Sequence, residues 1–146
     1  MPSSQRSGAT RIPDAQKLIR AAGERLTSPR SAVLATLLAS GEALSHHDVE
    51  ERLRGVLSVD RVTVYRVLDW LTGAGLAHRI AGDDRTWRFN ASRGRKAGPH
   101  AHFTCSTCGK TVCLEDVPAK LALRMPKGFV SREIELNVRG VCSACH

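Results

Sequence analysis

Ser58-Val-Asp-Arg-Val-Thr-Val-Tyr-Arg-Val-Leu-Asp-Trp-Leu-Thr-Gly73, followed by Ala-Gly-Leu-Ala-His-Arg-Ile-Ala-Gly-Asp-Asp-Arg-Thr-Trp-Arg-Phe89, is the stretch on which the fold turns. In its first half Val59, Val62, Leu68 and Leu71 are the apolar residues expected in the core, and Gly73-Ala-Gly75 stops the run. The pattern predicts a helix over 59–72, capped by Ser58 and burying those side chains. In its second half Leu76-Ala-His-Arg-Ile80 and Thr86-Trp-Arg-Phe89 have strand character and flank Ala81-Gly-Asp-Asp-Arg85, whose residues suit a turn, so a β-hairpin is expected.

Toward the N-terminus the signals are helical. Leu18, Ile19, Ala22 and Leu26 predict a first helix over roughly 14–24. Thr27-Ser28-Pro29 supplies a hydroxyl cap and a proline for the first turn of a second helix, with Val33, Leu34, Leu37 and Leu38 on one stripe. Ser45 with Asp48 three residues on opens a third helix through Val49 and Leu53 to Gly55. Three helices, a fourth and a hairpin make a winged helix-turn-helix, with the fourth helix in the major groove of DNA. Its solvent face then shows Asp60, Arg61, Thr63, Tyr65 and Arg66. Arg61 and Arg66 suit phosphate or guanine, Thr63 and Tyr65 suit phosphate, and Tyr65 also suits a thymine methyl. The plain alternative is the solvated face of an ordinary helical bundle.

Toward the C-terminus, Ala91-Ser-Arg-Gly-Arg-Lys-Ala-Gly-Pro99 has no apolar period and reads as a hinge. It divides the chain into a DNA-binding domain over 1–90, a hinge over 91–99 and a second domain over 100–146. The second domain has strand-like runs at 101–105 and 110–114, a short helix at 118–125, and alternation over 129–141 that suits a half-exposed strand. The expected class is therefore α+β, a winged helix-turn-helix followed by a small α/β unit.

The 146 residues are 42% hydrophobic and carry a formal charge of +8, so the chain is one or two small basic domains and a polyanionic partner is favoured. No uncharged stretch approaches the roughly 20 residues of a membrane span, and residues 1–13 have no signal-peptide core, so a cytoplasmic protein is expected. In a reducing compartment the five cysteines read as metal ligands or reactive thiols rather than disulfides. Cys105-Ser-Thr-Cys108 and Cys142-Ser-Ala-Cys145 are two C-x-x-C pairs, which together make a tetrahedral set of four thiolates of the kind zinc favours. Its role is structural, because it staples the last strand's end back to the first hairpin of the second domain.

A second ligand set is available in His78, His100, His102 and Cys113. His100 and His102 share a face of an extended segment, and Cys113 lies on the adjacent strand. Three nitrogens and one sulfur suit zinc better than harder ions. Taken singly, each residue has an ordinary alternative: His78 beside DNA phosphate, Cys113 as a small buried hydrophobe, His100 and His102 on the surface. Glu115 is a carboxylate placed to replace one of these ligands. His46 and His47, in the first turn of the third helix, suit metal ligation, phosphate contact or solvent, of which solvent is favoured, and His146 is expected at a frayed end. There is no phosphate loop, no Ser/His/Asp set and no acid pair, so an enzyme is not expected.

Leu26-Thr-Ser-Pro-Arg30, Thr63-Val-Tyr-Arg-Val-Leu68, Gly75-Leu-Ala-His78, His100-Ala-His102-x-x-Cys105-x-x-Cys108-Gly109 and Gly140-x-Cys142-x-x-Cys145 together resemble the ferric uptake regulator family of metal-dependent transcriptional regulators, over about residues 15–145. The resemblance implies a homodimer built on the C-terminal halves, a structural zinc held by the four paired cysteines, a sensing metal near the hinge, and DNA reading by the helix that holds Tyr65 and Arg66. The family's usual ligand just after the wing falls on Asn90, and its usual carboxylate five residues past the second cysteine falls on Cys113. Pro99 and Ala101 replace ligands of an additional site, and His78 matches a ligand position of zinc uptake regulators. The implied function is a zinc-responsive dimeric repressor of zinc uptake or homeostasis genes, with zinc as corepressor and a near-palindromic duplex operator. An iron- or peroxide-responsive regulator of the same family, a thiol-based redox sensor and a zinc-stabilised interaction module are the alternatives.

Overall fold

A computed structural model describes residues 11–82, 84–92, 100–114, 123–132 and 134–146, with the side chain of His100 outside the description. The chain divides into two units, Met1–Gly94 and Arg95–His146.

In the first unit, helix α1 runs Ile12–Ala21 with Pro13 inside its first turn, where the missing N–H breaks no helical bond. Gly23, at φ 73°, ends it, its N–H donating to Arg20 O at 2.9 Å and that of Glu24 to Ile19 O at 3.1 Å. The helix therefore starts and stops earlier than its apolar spacing predicts. Helix α2, Ser28–Ala39, is capped by Thr27, whose side chain accepts from the Arg30 N–H. Rather than one stripe, every residue from Ser31 to Leu38 is buried, because α2 runs through the middle of the unit and touches the other helices and the wing. The two buried hydroxyls on it, Ser31 and Thr36, donate to Thr27 O and Ala32 O. Helix α3, His46–Leu53, opens with the full capping box: the Asp48 N–H donates to Ser45 Oγ and the Ser45 N–H to Asp48 Oδ2.

Helix α4 runs Arg61–Gly73. Its cap is Asp60, whose Oδ1 accepts from the Thr63 N–H at 2.9 Å, and not Ser58. Val64, Val67, Leu68 and Leu71 are its buried stripe. Val62, expected in the core, is 54% exposed, since two residues from Val64 is about 200° around a helix. Val59 precedes the helix and is only partly buried.

The wing is larger than a hairpin. Strands β2, Ala77–Ala81, and β3, Trp87–Ala91, pair antiparallel with His78 opposite Asn90. A two-residue strand β1, Leu44–Ser45, adds to the other edge of β3. At the wing turn both oxygens of Asp84 take the Arg88 guanidinium at 3.0 Å, and Oδ1 also accepts from the Thr86 N–H.

The second unit is a three-stranded sheet of β4, His100–Cys105, β5, Thr111–Leu114, and β6, Glu135–Gly140, in the order β5-β4-β6. β4 and β5 are antiparallel with His102 opposite Cys113; β4 and β6 are parallel with Cys105 opposite Gly140. The strand expected over 129–141 is confined to 135–140, because a turn in which the Phe129 N–H donates to Pro126 O leaves Phe129 and Val130 outside it and exposed. Of the short helix expected over 118–125, residues 118–122 lie outside the described residues and 123–125 are not helical. Glu115 also lies outside them.

Candidate metal centres and nucleic-acid interface

Each C-x-x-C pair sits on a turn closed by its own backbone. In the first, the Gly109 N–H donates to Cys105 O, helped by the positive φ of Gly109; in the second, the N–H groups of Cys145 and His146 both reach Cys142 O. His146 is thus bonded into the turn and not frayed. The parallel register of β4 and β6 brings the two turns together, and Ser106 locks them with two bonds to Gly140 O, from its N–H and its hydroxyl. The four sulfurs lie within 4.8 Å of one another. A tetrahedron with Zn–S bonds near 2.3 Å has sulfurs about 3.8 Å apart, and Cys108 Sγ to Cys142 Sγ is 3.7 Å. The set fits a tetrahedral thiophilic ion, and no disulfide competes for the sulfurs.

Electrostatics lead to the same fit. Backbone N–H groups of Cys108 and Cys142 aimed at Cys105 Sγ lower its thiol to about 6, the Cys142 N–H lying at 3.3 Å. Cys145, crowded first by Cys142 and then by Cys108, is pushed up to about 12. One sulfur ionises readily and the last resists, which is how four thiols around one point behave until a cation offsets the accumulated charge.

Two of the predicted second-set ligands meet within the sheet of the second unit. His102, 4% exposed, and the half-buried Cys113 are cross-strand partners whose ligand atoms lie within 4.8 Å. His78 sits on β2 in the first unit, where Ser92 Oγ lies 3.1 Å from its Nδ1. Ser92 was not signalled by the sequence; it lies just past β3, in register to hold that ring.

On α4 the exposed face comprises Arg61, Val62, Tyr65, Arg66 and Asp69, with Thr63 half-buried beside it. Tyr65 is 57% exposed. Asp60 belongs to the cap, and its hydrogen bonds from Thr63 lower its carboxyl below the ordinary range. Arg61 Nε lies 3.5 Å from Glu50 Oε1 on α3. His47 is exposed as expected, but His46 is not in open solvent: its Nε2 is 3.1 Å from Arg61 O and its ring is 4.3 Å from that of Tyr65. A periodicity reading has no means of finding such a contact, since it joins two helices across 15 residues.

Among described residues no helix is long and apolar enough to cross a membrane. The model of the ferric uptake regulator family matches residues 21–138. The chain is 32% identical over 141 residues to the transcriptional regulator FurA of Mycobacterium tuberculosis, covering 92% of this chain and 91% of that protein. It is 29% identical over 140 residues to the zinc uptake regulation protein of Escherichia coli, covering 92% and 80%. A solved zinc uptake regulator complexed with zinc and DNA shares the fold at a TM-score of 0.67 and 21% identity, covering 95% of each chain. With the winged helix, the four-cysteine cluster and a family match over most of its length, the chain belongs to the ferric uptake regulator family of metal-dependent transcriptional regulators.

Proposed function

We propose that this protein is a dimeric, zinc-responsive repressor that binds a near-palindromic duplex operator and controls zinc uptake or homeostasis genes, with zinc as corepressor. The observation that carries the metal choice is the His102–Cys113 pair. A thiolate opposite an imidazole is a donor set for zinc, whereas harder ions take oxygen. In this reading Cys105, Cys108, Cys142 and Cys145 hold a structural ion. The regulatory ligands are His78, His100, His102 and Cys113, with Glu115 as the alternative fourth donor. When bound, zinc would supply a cation that those side chains hold in common, and the imidazoles would have to be neutral and the thiol ionised to accept it.

DNA is read by Arg61, Thr63, Tyr65 and Arg66, in support of which Arg61, Tyr65 and Arg66 share the exposed face of α4. Ligation restricts the arrangements open to the two recognition helices of a dimer and favours the one that matches two half-sites. The +8 charge supports binding that weakens steeply with salt.

The test has two steps. Elemental analysis before and after a mild chelator should give two zinc ions per chain, one readily removed. Random duplexes are then selected with zinc-loaded protein, and the recovered sequence is titrated with zinc, ferrous iron and manganese. Binding restored by zinc alone supports the proposal; binding restored by iron and not zinc replaces it with the iron-responsive reading. A loss of binding on dilute peroxide, with thiols consumed, replaces it with a redox sensor.

A further inference from the structure

The helix-turn-helix carries a side-chain network that the DNA-reading residues do not account for. His46 opens α3 and reaches across to α4 at two points. Its Nε2 lies 3.1 Å from Arg61 O, a carbonyl that can only accept, so this nitrogen carries the proton and donates. Its ring lies against Tyr65 with centroids 4.3 Å apart and planes inclined at 33°. Glu50, one turn along α3, completes the group, with its carboxylate 3.7 Å from His46 Nδ1 and 3.5 Å from Arg61 Nε. The side chains of His46 and Glu50 are 16% and 19% exposed, whereas that of Arg61 is 73% exposed. The two α3 residues therefore form a partly enclosed backing, and the α4 residues project from it.

We propose that His46 is a positioning residue for DNA recognition, backing the Tyr65 ring and tying α3 to the first turn of α4 so that the phenol enters the groove at one fixed angle. An exposed tyrosine on a helix has two χ angles to fix on binding, and a ring already packed on one side has lost part of that freedom. The contact also explains why His46 sits where solvent was expected: its imidazole covers one side of a ring that is otherwise 57% exposed. The inference rests on the reading of α4 as the DNA-reading helix.

Tyr65 is the chain's only tyrosine, so a 3-fluorotyrosine label gives one fluorine signal that reports this ring alone. Duplex binding by full-length, zinc-loaded protein is measured for wild type, His46→Ala, His46→Gln, Tyr65→Ala and the double variant His46→Ala/Tyr65→Ala. The probe is the duplex selected from random sequence by the wild type. His46→Ala should weaken binding about tenfold and shift the fluorine signal, but cost less than about twofold when Tyr65 is already alanine, because contacting residues are not additive. His46→Gln, which keeps a donor toward Arg61 O but no ring, should fall between. Equal losses in both backgrounds, or no loss with wild-type binding intact, would overturn the role of His46. A wild type that selects no duplex overturns the DNA-binding reading, a result separate from either of these. Thermal unfolding of each variant, followed by the two tryptophans, identifies a loss that comes from unfolding, and His46→Gln then carries the test.

Discussion

His102 on β4 and Cys113 on β5 stand directly opposite each other, so that an imidazole and a thiol from two neighbouring strands converge within 4.8 Å. Strand pairing fixes that approach without help from any loop. Cys113→Ser should abolish the zinc dependence of duplex binding and eliminate the zinc that a mild chelator removes, while the dimer and the zinc held by the four clustered cysteines persist. Size exclusion with elemental analysis checks it. Loss of the dimer would make Cys113 structural.

Arg66 lies on the exposed face of α4, one residue from Tyr65. Arg66→Ala should weaken binding to all duplexes and lower the slope of log K against log salt by about one, as expected for a lost phosphate contact. Zinc content should be unchanged. Discrimination lost at a single base pair, with the slope intact, would instead assign Arg66 to a base edge.

Cys142→Ser removes one corner of the sulfur cluster just after β6. Zinc binding to clusters of this kind is worth on the order of 10 kcal/mol of folding free energy, so the second unit should lose β6 from its sheet. Hydrogen exchange would show it as lost protection at 135–140, with α2 and α4 still protected. Retained protection in β6 would mean that strand pairing alone holds the cluster together.

In the wing, the Arg88 guanidinium and the Thr86 N–H lower Asp84 from 3.8 to about 2. A carboxyl whose pKa is depressed on folding adds stability above its unfolded value and loses it as pH falls through the folded one. Asp84→Asn should therefore lower the urea midpoint at pH 6 and converge with wild type near pH 2. The effect is small, because Asp84 is more than half exposed and solvent screens the pair. Trp70 and Trp87 both lie in the first unit, so tryptophan fluorescence follows its unfolding alone.

Features carried by a few adjacent residues were legible in the sequence. Ser45 and Asp48 announce their capping box and each C-x-x-C pair its own turn, since both depend on bonds within a short span, and the matching spacing of the two pairs is what pointed to one shared ion. Features set by distant partners were not. Leu44–Ser45 is too short to alternate, and becomes a strand only because β3 offers it an edge. Val62 was expected inside because α4 is apolar at Val62, Val64 and Val67 alike, and only the packing of Val64, Val67, Leu68 and Leu71 against the unit's core turns Val62 outward. The strand that became β6 was legible as alternation, but its parallel pairing with β4 had no local signal. His46 and Ser92 owe their roles to neighbours 15 and 14 residues away.

That parallel pairing has a consequence for the order in which the chain folds. Cys105 and Cys142 are 37 residues apart, and closing a loop of that length costs about 4 kcal/mol of chain entropy by the arithmetic used for disulfides. The first unit closes a span of similar length where β1 meets β3, but it does so around a buried apolar core. The second must wait until its ends meet. A nascent chain short of the ion that fits this cluster would thus hold a folded first unit and an unfinished sheet, and metal supply would govern how much of the protein matures.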